Sequence, residues 1–248
     1  MIGLCSVTFR EESVEEIIRL VKEADLETIE WGSDAHVPET DKEHANHVAH
    51  LMEKAGLKSN SYGTYYRLGT HEEFTNYIAV AKILGASVLR VWAGEKASVE
   101  TTEEERARIV EDAKRIGELA AAEGLTVALE YHANTLTDTP QSAVELMEEI
   151  DKVDVLLYWQ PAESLSVQER IESLPKLAPW IKHVHVFNWA HYNNRFPLAE
   201  ATDAWKQYIE IIDKHSPHKQ DYLLEFVPGE DPVEGFFESA KTLKSWTN

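Results

Sequence analysis

The sequence predicts one α/β domain over residues 1–248, a single (β/α)8 TIM barrel. Three observations predict it. Eight short apolar runs alternate strictly with eight longer amphipathic runs. The length of 248 residues is close to that of one such barrel. Four consecutive apolar runs (TVALE, VLLYWQ, IKHVH, DYLLE) each end on a polar side chain: Glu130, Gln160, His185 and Glu225. An open doubly wound sheet shares the alternation, but the count of eight and the length favour closure.

The elements follow in order. The first strand is expected at 2–7. A helix over 13–24 opens on the capping-box pattern Ser13-Val14-Glu15-Glu16 and carries the apolar stripe Val14, Ile17, Ile18, Val21. A strand at 27–32 leads to a helix at 41–55, which Gly56 stops. A strand at 57–63 and a helix at 71–85 come next. The strand at 87–93 precedes a helix at 102–123, opened by Thr102 and Glu105 and stopped by Gly124. The strand at 125–131 leads to Thr139-Pro140, an N-cap residue before proline at the first helical position, and a helix at 140–150. A strand at 154–160, a helix at 166–178 and a strand at 181–187 follow. The stretch 189–198 (WAHYNNRFPL) is polar and aromatic, and is expected as an extended loop on the catalytic rim. A helix at 199–214 and a strand at 221–227 precede the last helix, 232–246. That helix starts at Asp231-Pro232 and carries the stripe Val233, Phe236, Phe237, Ala240, Leu243.

Acidic residues outnumber basic ones by 44 to 24, so the formal net charge is −20. That field repels phosphate backbones and argues against a nucleic-acid partner. The acidic runs at 102–112 and 145–151 are read as solvated outer helix faces. Cys5 is the single cysteine, which forbids an intrachain disulfide and suits a reducing, cytoplasmic compartment. Cys5 itself is read as a small core or lumen residue. The opening MIGLCSVTFREES lacks the pattern of a secretory signal. No run approaches the roughly 18 apolar residues of a membrane span.

Side chains alternate faces along a strand. Glu130 and His132 share the face opposite Val127, Leu129 and Tyr131; His183 and His185 share a face, as do Tyr158 and Gln160. The apolar faces should meet the helices, so Glu130, Gln160, His185 and Glu225 aim at one volume. Two carboxylates, an imidazole and an amide oxygen suit a divalent ion (Mn, Mg, Co or Zn). A hydrogen-bonded polar layer without metal fits the same spacing. Arg90 is a candidate clamp for a substrate carboxylate or phosphate, or a lumen arginine paired to Glu30 or Glu130. Glu30 is a candidate partner that would hold one of the ligand side chains, and His36 a candidate substrate ligand or general acid. Tyr62, Tyr65, Tyr66 and Arg67 follow the third strand and suit a sugar ring, or ordinary loop packing. Trp159 and Trp189 flank the candidate ligands.

The segments ALEYH, HVHVF and LLEF, with GLCSVTFR and EWGSDAHV, resemble the xylose isomerase-like TIM-barrel superfamily over essentially the whole chain. That group includes sugar isomerases, sugar 3-epimerases, hydroxypyruvate isomerases and inosose dehydratases. The resemblance implies a metal tetrad of Glu, Asp, His and Glu, which falls on Glu130, Gln160, His185 and Glu225. Gln160 departs from it: an amide oxygen replaces a carboxylate, and the site loses one negative charge. The resemblance further implies isomerase or epimerase chemistry on a small carbohydrate, its phosphate or a keto-acid, with enediolate proton transfer between Glu130 and Glu225. His132 and His36 would bind hydroxyls or shuttle protons. Tyr62 and Trp189 would line the pocket, and Arg90 or Arg195 would hold an acidic group. Dehydration of a keto-sugar or inosose is the alternative chemistry. Gln160 keeps open a third reading, a sugar-binding barrel without catalysis. The endonuclease branch needs a basic groove, and the −20 charge argues against it. Barrels of this kind often pair, so a homodimer is compatible.

Overall fold

In the computed structural model, which describes residues 1–190, 194–229 and 231–247, eight parallel strands close into a ring. They are β1 (Ile2–Cys5), β2 (Thr28–Gly32), β3 (Ser61–Arg67), β4 (Val88–Trp92), β5 (Thr126–Glu130), β6 (Val155–Trp159), β7 (Ile181–Val186) and β10 (Tyr222–Leu224). β1 pairs with both β2 and β10, which seals the barrel and leaves it no open edge. Between them run α1 (Val14–Glu23), α2 (Lys42–Ala55), α3 (Thr75–Leu84), α4 (Glu103–Ala122), α5 (Pro140–Ile150), α6 (Val167–Leu177) and α7 (Thr202–His215), and α8 (Pro232–Thr247) follows β10. β8 (Trp189–Ala190) and β9 (Asn194–Arg195) form a short antiparallel pair in the expected rim loop. Residues 191–193 of that loop lie outside the described residues. Among the described residues, no helix is long and apolar enough to cross a membrane.

The expected helix starts form as their sequences dictate. Ser13 accepts from the Glu16 amide, and Thr102 and Glu105 cap each other reciprocally. Thr139 accepts from the Ser142 amide ahead of the helix that Pro140 begins.

β1 and β10 end earlier than expected, at Cys5 rather than 7 and at Leu224 rather than 227, and two elements begin later. β3 begins at Ser61 rather than 57: Leu57 is the one apolar residue of 57–60, and the lumen positions Ser61 and Gly63 are small. Gly63 shows why: a Cβ there would lie 2.6 Å from Arg90 Nη2. The lumen at this level is filled by Arg90, so β3 must supply little volume. α3 begins at Thr75 rather than 71. The preceding loop turns through Gly69 (φ 89°) and His71 (φ 56°) and is pinned by Asp112, a buried residue of α4. Asp112 accepts from the Gly69 amide and from the Tyr66 hydroxyl, each at 2.8 Å.

The outward faces of the strands pack on the helices as one continuous core, which includes Ile29, Val127, Leu129, Leu157, Val184 and Leu224. Each such side chain contributes about 1.5–3 kcal/mol on full burial. A second, smaller cluster of Val88, Ala128, Tyr158 and Leu223 plugs the lumen. The plug closes the barrel floor, so a ligand must enter from the C-terminal ends of the strands.

A polar cluster ties the opposite end. The Met1 ammonium meets Asp221 Oδ1 at 2.9 Å, Asn60 Nδ2 donates to Asp221 Oδ2 at 2.7 Å, and the Asp221 amide donates to His183 Nδ1 at 3.0 Å. Because Nδ1 accepts, the neutral His183 ring carries its proton on Nε2. Burial holds His183 down to about 4, with only partial opposition from Asp221. An unfolded histidine titrates near 6.5. Between about pH 6.5 and 4 the unfolded chain therefore binds a proton that the folded chain does not, and stability falls as pH drops. The expected slope from this residue is about 1.4 kcal/mol per pH unit. Thermal melts of wild type and His183→Asn from pH 7 to 4.5 check this: the variant should lose that part of the slope, and parallel curves would contradict it.

Candidate metal centre and active site

Four donor side chains converge at the mouth because each sits at or just past the C-terminal end of its strand. Glu130 ends β5, Gln160 follows β6, His185 is the penultimate residue of β7, and Glu225 follows β10. All four are buried. Around His185 Nδ1 lie Gln160 Oε1 at 3.1 Å, Glu225 Oε2 at 3.5 Å and Glu130 Oε1 at 3.8 Å. Donor atoms bound at about 2.1 Å to one ion lie about 3.0–3.4 Å apart, so these three distances from His185 Nδ1 are within a few tenths of an ångström of those in a ligand shell. Glu130, His185 and Glu225 each place one ligand atom within 4.8 Å of the others.

The electrostatics also fit a cation. Burial pushes the Glu225 carboxyl up; His185 opposes that shift and Glu130 reinforces it. Among the described residues, no group donates a hydrogen bond to the Glu225 carboxylate, which is costly for a buried acid. Burial works against the charged His185 ring, yet Glu225, Glu30 and Glu130 outweigh it and raise His185. The donor set of hard oxygens and one imidazole nitrogen suits Mg, Mn, Co or Zn.

Beneath the donors lies a charged floor. Arg90, on β4, donates from Nε to Glu30 Oε1 at 2.9 Å and from Nη1 to Glu130 Oε2. Of its two expected roles, Arg90 therefore takes the structural one. Nε and Nη1 are taken by the two carboxylates, the side chain is 2% exposed, and Nη2 has no hydrogen-bond partner among the described residues. Glu30 Oε2 accepts from Ser61 Oγ at 2.9 Å, and Oε1 also takes the Cys5 thiol at 3.3 Å. Burial alone would raise Glu30, but Arg90 and His185 hold it well below the usual carboxylate range. Burial, then Glu30 and Glu225, pushes the Cys5 thiol well up, which leaves it an inert lumen residue.

The remaining expected site residues divide. His132 is half-buried at the mouth, its ring 4.6 Å from that of Trp92. Its Nδ1 lies 2.7 Å from the Ala133 carbonyl, so the neutral ring donates there and leaves Nε2 with a lone pair. Trp189 stacks on Phe187 at 4.0 Å. Arg195 is exposed, 4.4 Å over the Phe226 ring, with no ion-pair or hydrogen-bond partner among the described residues. His36 does not reach the mouth: both ring nitrogens are taken, by Ser6 Oγ at 3.0 Å and the Phe9 carbonyl at 3.1 Å. Tyr62 faces outward from β3, fully buried, with its hydroxyl on the Val37 carbonyl. The tyrosine at the mouth is Tyr65, whose ring lies 6.0 Å from Trp92 and whose hydroxyl accepts from Arg10. Strand alternation carried one residue further along β3 was the signal that separates Tyr62 from Tyr65. The strained backbone of Phe226 (φ 53°), beside Glu225, has no sequence signature.

Comparison with known proteins places this geometry. The chain is 29% identical over 203 residues to the 3-dehydroshikimate dehydratase of Bacillus anthracis, covering 75% of this chain and 71% of that enzyme. Among solved structures, the probable 3-DHS dehydratase AsbF of Bacillus anthracis superposes with a TM-score of 0.78 at 22% identity, covering 98% of each chain. A D-psicose 3-epimerase of Clostridium cellulolyticum H10, solved with D-tagatose, gives 0.71 at 13% identity, covering 99% of this chain and 98% of that one. These two likenesses establish the fold. The family described as xylose isomerase-like TIM barrel matches residues 18–245, and the chain belongs to that family.

Proposed function

We propose that the protein is a divalent-metal-dependent lyase that dehydrates a polyhydroxylated cyclic ketone of the 3-dehydroshikimate or inosose kind through one carboxylate base. The observation that carries this reading is the unequal state of the two glutamates. Glu130 gives Oε2 to Arg90 and turns Oε1 towards His185 Nδ1, 3.8 Å away, into the donor cluster. Glu225 turns Oε2 towards His185 and keeps Oε1 uncommitted among the described residues. Two-base proton transfer between Glu130 and Glu225 needs two free carboxylate oxygens, and Arg90 removes one of them. The sequence-based assignment of both glutamates to proton transfer is therefore revised here to Glu225 alone. Similarity to a curated dehydratase supports the same choice.

Glu130, Gln160, His185 and Glu225 would hold the cation, which supplies a Lewis acid for the substrate carbonyl oxygen and so acidifies the adjacent C–H. Glu225 Oε1 removes that proton, and burial, which raises its carboxyl, strengthens it as a base. The C–H electron pair becomes the new C=C bond as the β-carbon–oxygen bond breaks. The departing hydroxide takes a proton from a neighbouring acid and leaves as water. That proton is the one Glu225 removed: the His132 Nε2 lone pair accepts it and passes it to the departing oxygen, which returns Glu225 to its carboxylate. Trp92, Tyr65 and Trp189 offer faces to the C–H side of such a ring, and Arg195 is available to an acidic substituent.

Aldose–ketose isomerisation or epimerisation is the second reading, favoured by the epimerase among structures of the same fold. Product mass separates the two: only dehydration loses water. Incubation with 3-dehydroshikimate and with inososes in the presence of Mn2+ or Mg2+ should yield a product lighter by one water, and activity should vanish with chelator. A product of unchanged mass would overturn the lyase assignment. Glu225→Gln should cut turnover by roughly 10^3-fold even at saturating metal. Glu130→Gln should act mainly on metal affinity and recover in part with excess metal. Equal losses in the two variants at saturating metal would contradict the single-base scheme. Gln160→Asp, which adds a negative charge to the donor set, should tighten Mn2+ binding by roughly tenfold in a calorimetric titration, and unchanged affinity would remove Gln160 from the ligands.

A further inference from the structure

We infer that Glu30 is a positioning residue for the metal centre: its carboxylate fixes the His185 ring so that Nδ1 faces the cation, and fixes Glu130 through Arg90. The inference rests on the metal reading given above. Glu30 lies on β2, remote in the ring from β5, β6 and β7, which carry three of the four donors. It is fully buried, and both of its oxygens already accept hydrogen bonds from protein side chains, although it also stands with Cys5 and His185 in a second cluster of potential ligand atoms. Oε1 sits 3.4 Å from His185 Nε2 and 2.9 Å from Arg90 Nε, and Oε2 takes the Ser61 hydroxyl at 2.9 Å. An ionised carboxylate is acceptor-only, so His185 must keep a proton on Nε2 to hold that contact. A neutral ring then has its lone pair on Nδ1, the nitrogen that faces Gln160, Glu225 and Glu130. A carboxylate behind a ligating histidine sets its tautomer, plane and basicity.

The same carboxylate reaches a second ligand. Arg90, held at Nε by Glu30, donates from Nη1 to Glu130 Oε2, which leaves Oε1 as the oxygen turned towards the donor cluster. One residue thus orients His185 from β7 and Glu130 from β5. The chain makes room for this arrangement at Gly63, where a Cβ would lie 2.6 Å from Arg90 Nη2 and 3.1 Å from Glu30 Oε1. Any side chain at 63 would displace the pair.

Calorimetric titration of Mn2+ into wild type and Glu30→Gln tests the inference, with melting temperature recorded for both. The glutamine variant should bind Mn2+ about 10- to 100-fold more weakly. A lower melting temperature with unchanged Mn2+ affinity would overturn the inference, because Glu30 would then serve the fold alone. Wild type that binds no divalent ion would overturn the metal reading itself, and this inference with it. If Glu30→Gln does not fold, the ring 15N shifts of His185 in zinc-loaded wild type decide. A proton on Nε2 and none on Nδ1 is the expected state, and the reverse tautomer would overturn the inference.

Discussion

The lumen of this barrel has to hold three carboxylates away from water. Glu30, Glu130 and Glu225 are all buried, and one buried guanidinium, Arg90, stands among them. Arg90 satisfies Glu30 and Glu130 and leaves Glu225 without a donor among the described residues. Two negative charges remain uncompensated in a low-dielectric interior, where each is costly. His185 meets part of that demand, and its raised affinity for a proton reflects it. A divalent cation meets all of it. The charge deficit and the donor spacing are the two observations on which the proposed cation rests.

The fold was legible because it depends on patterns that are local in sequence. Capping residues such as Thr102 with Glu105, and Thr139 before Pro140, mark helix starts wherever the helix ends up in space. Strand alternation assigned Glu130, Gln160 and His185 to the lumen, since the opposite faces were apolar and had to meet helices. On β3 alternation also holds, with Ser61, Gly63 and Tyr65 inward and Tyr62 outward, but the strand carries no apolar run on one face to tell which side is the lumen. There Tyr62 was expected at the mouth and is instead behind the sheet, while Tyr65 occupies the rim.

Contacts between distant segments were not legible in the same way. His36 follows β2 and carries a titratable ring, so sequence pattern alone could not separate a ligand from a brace between loops; its bonds to Ser6 and Phe9 make it the brace. Arg90 had two equal readings until the side chains of β2 and β5 were seen to converge on it. Nor does any local signal reveal that Arg90 spends one oxygen of Glu130. That single contact makes two residues of the same type chemically unequal, and it moves the functional reading from a two-base exchange to elimination by one base. Family membership leaves both chemistries open, and the unequal contacts of the two glutamates are what the proposed elimination rests on.

The most direct measurement is anomalous diffraction from crystals soaked with Mn2+. The account predicts one strong peak bonded at about 2.1–2.3 Å to Glu130 Oε1, Gln160 Oε1, His185 Nδ1 and Glu225 Oε2, with Arg90 still on Glu30 and Glu130. A peak elsewhere, or none with the four side chains ordered at saturating Mn2+, would contradict it.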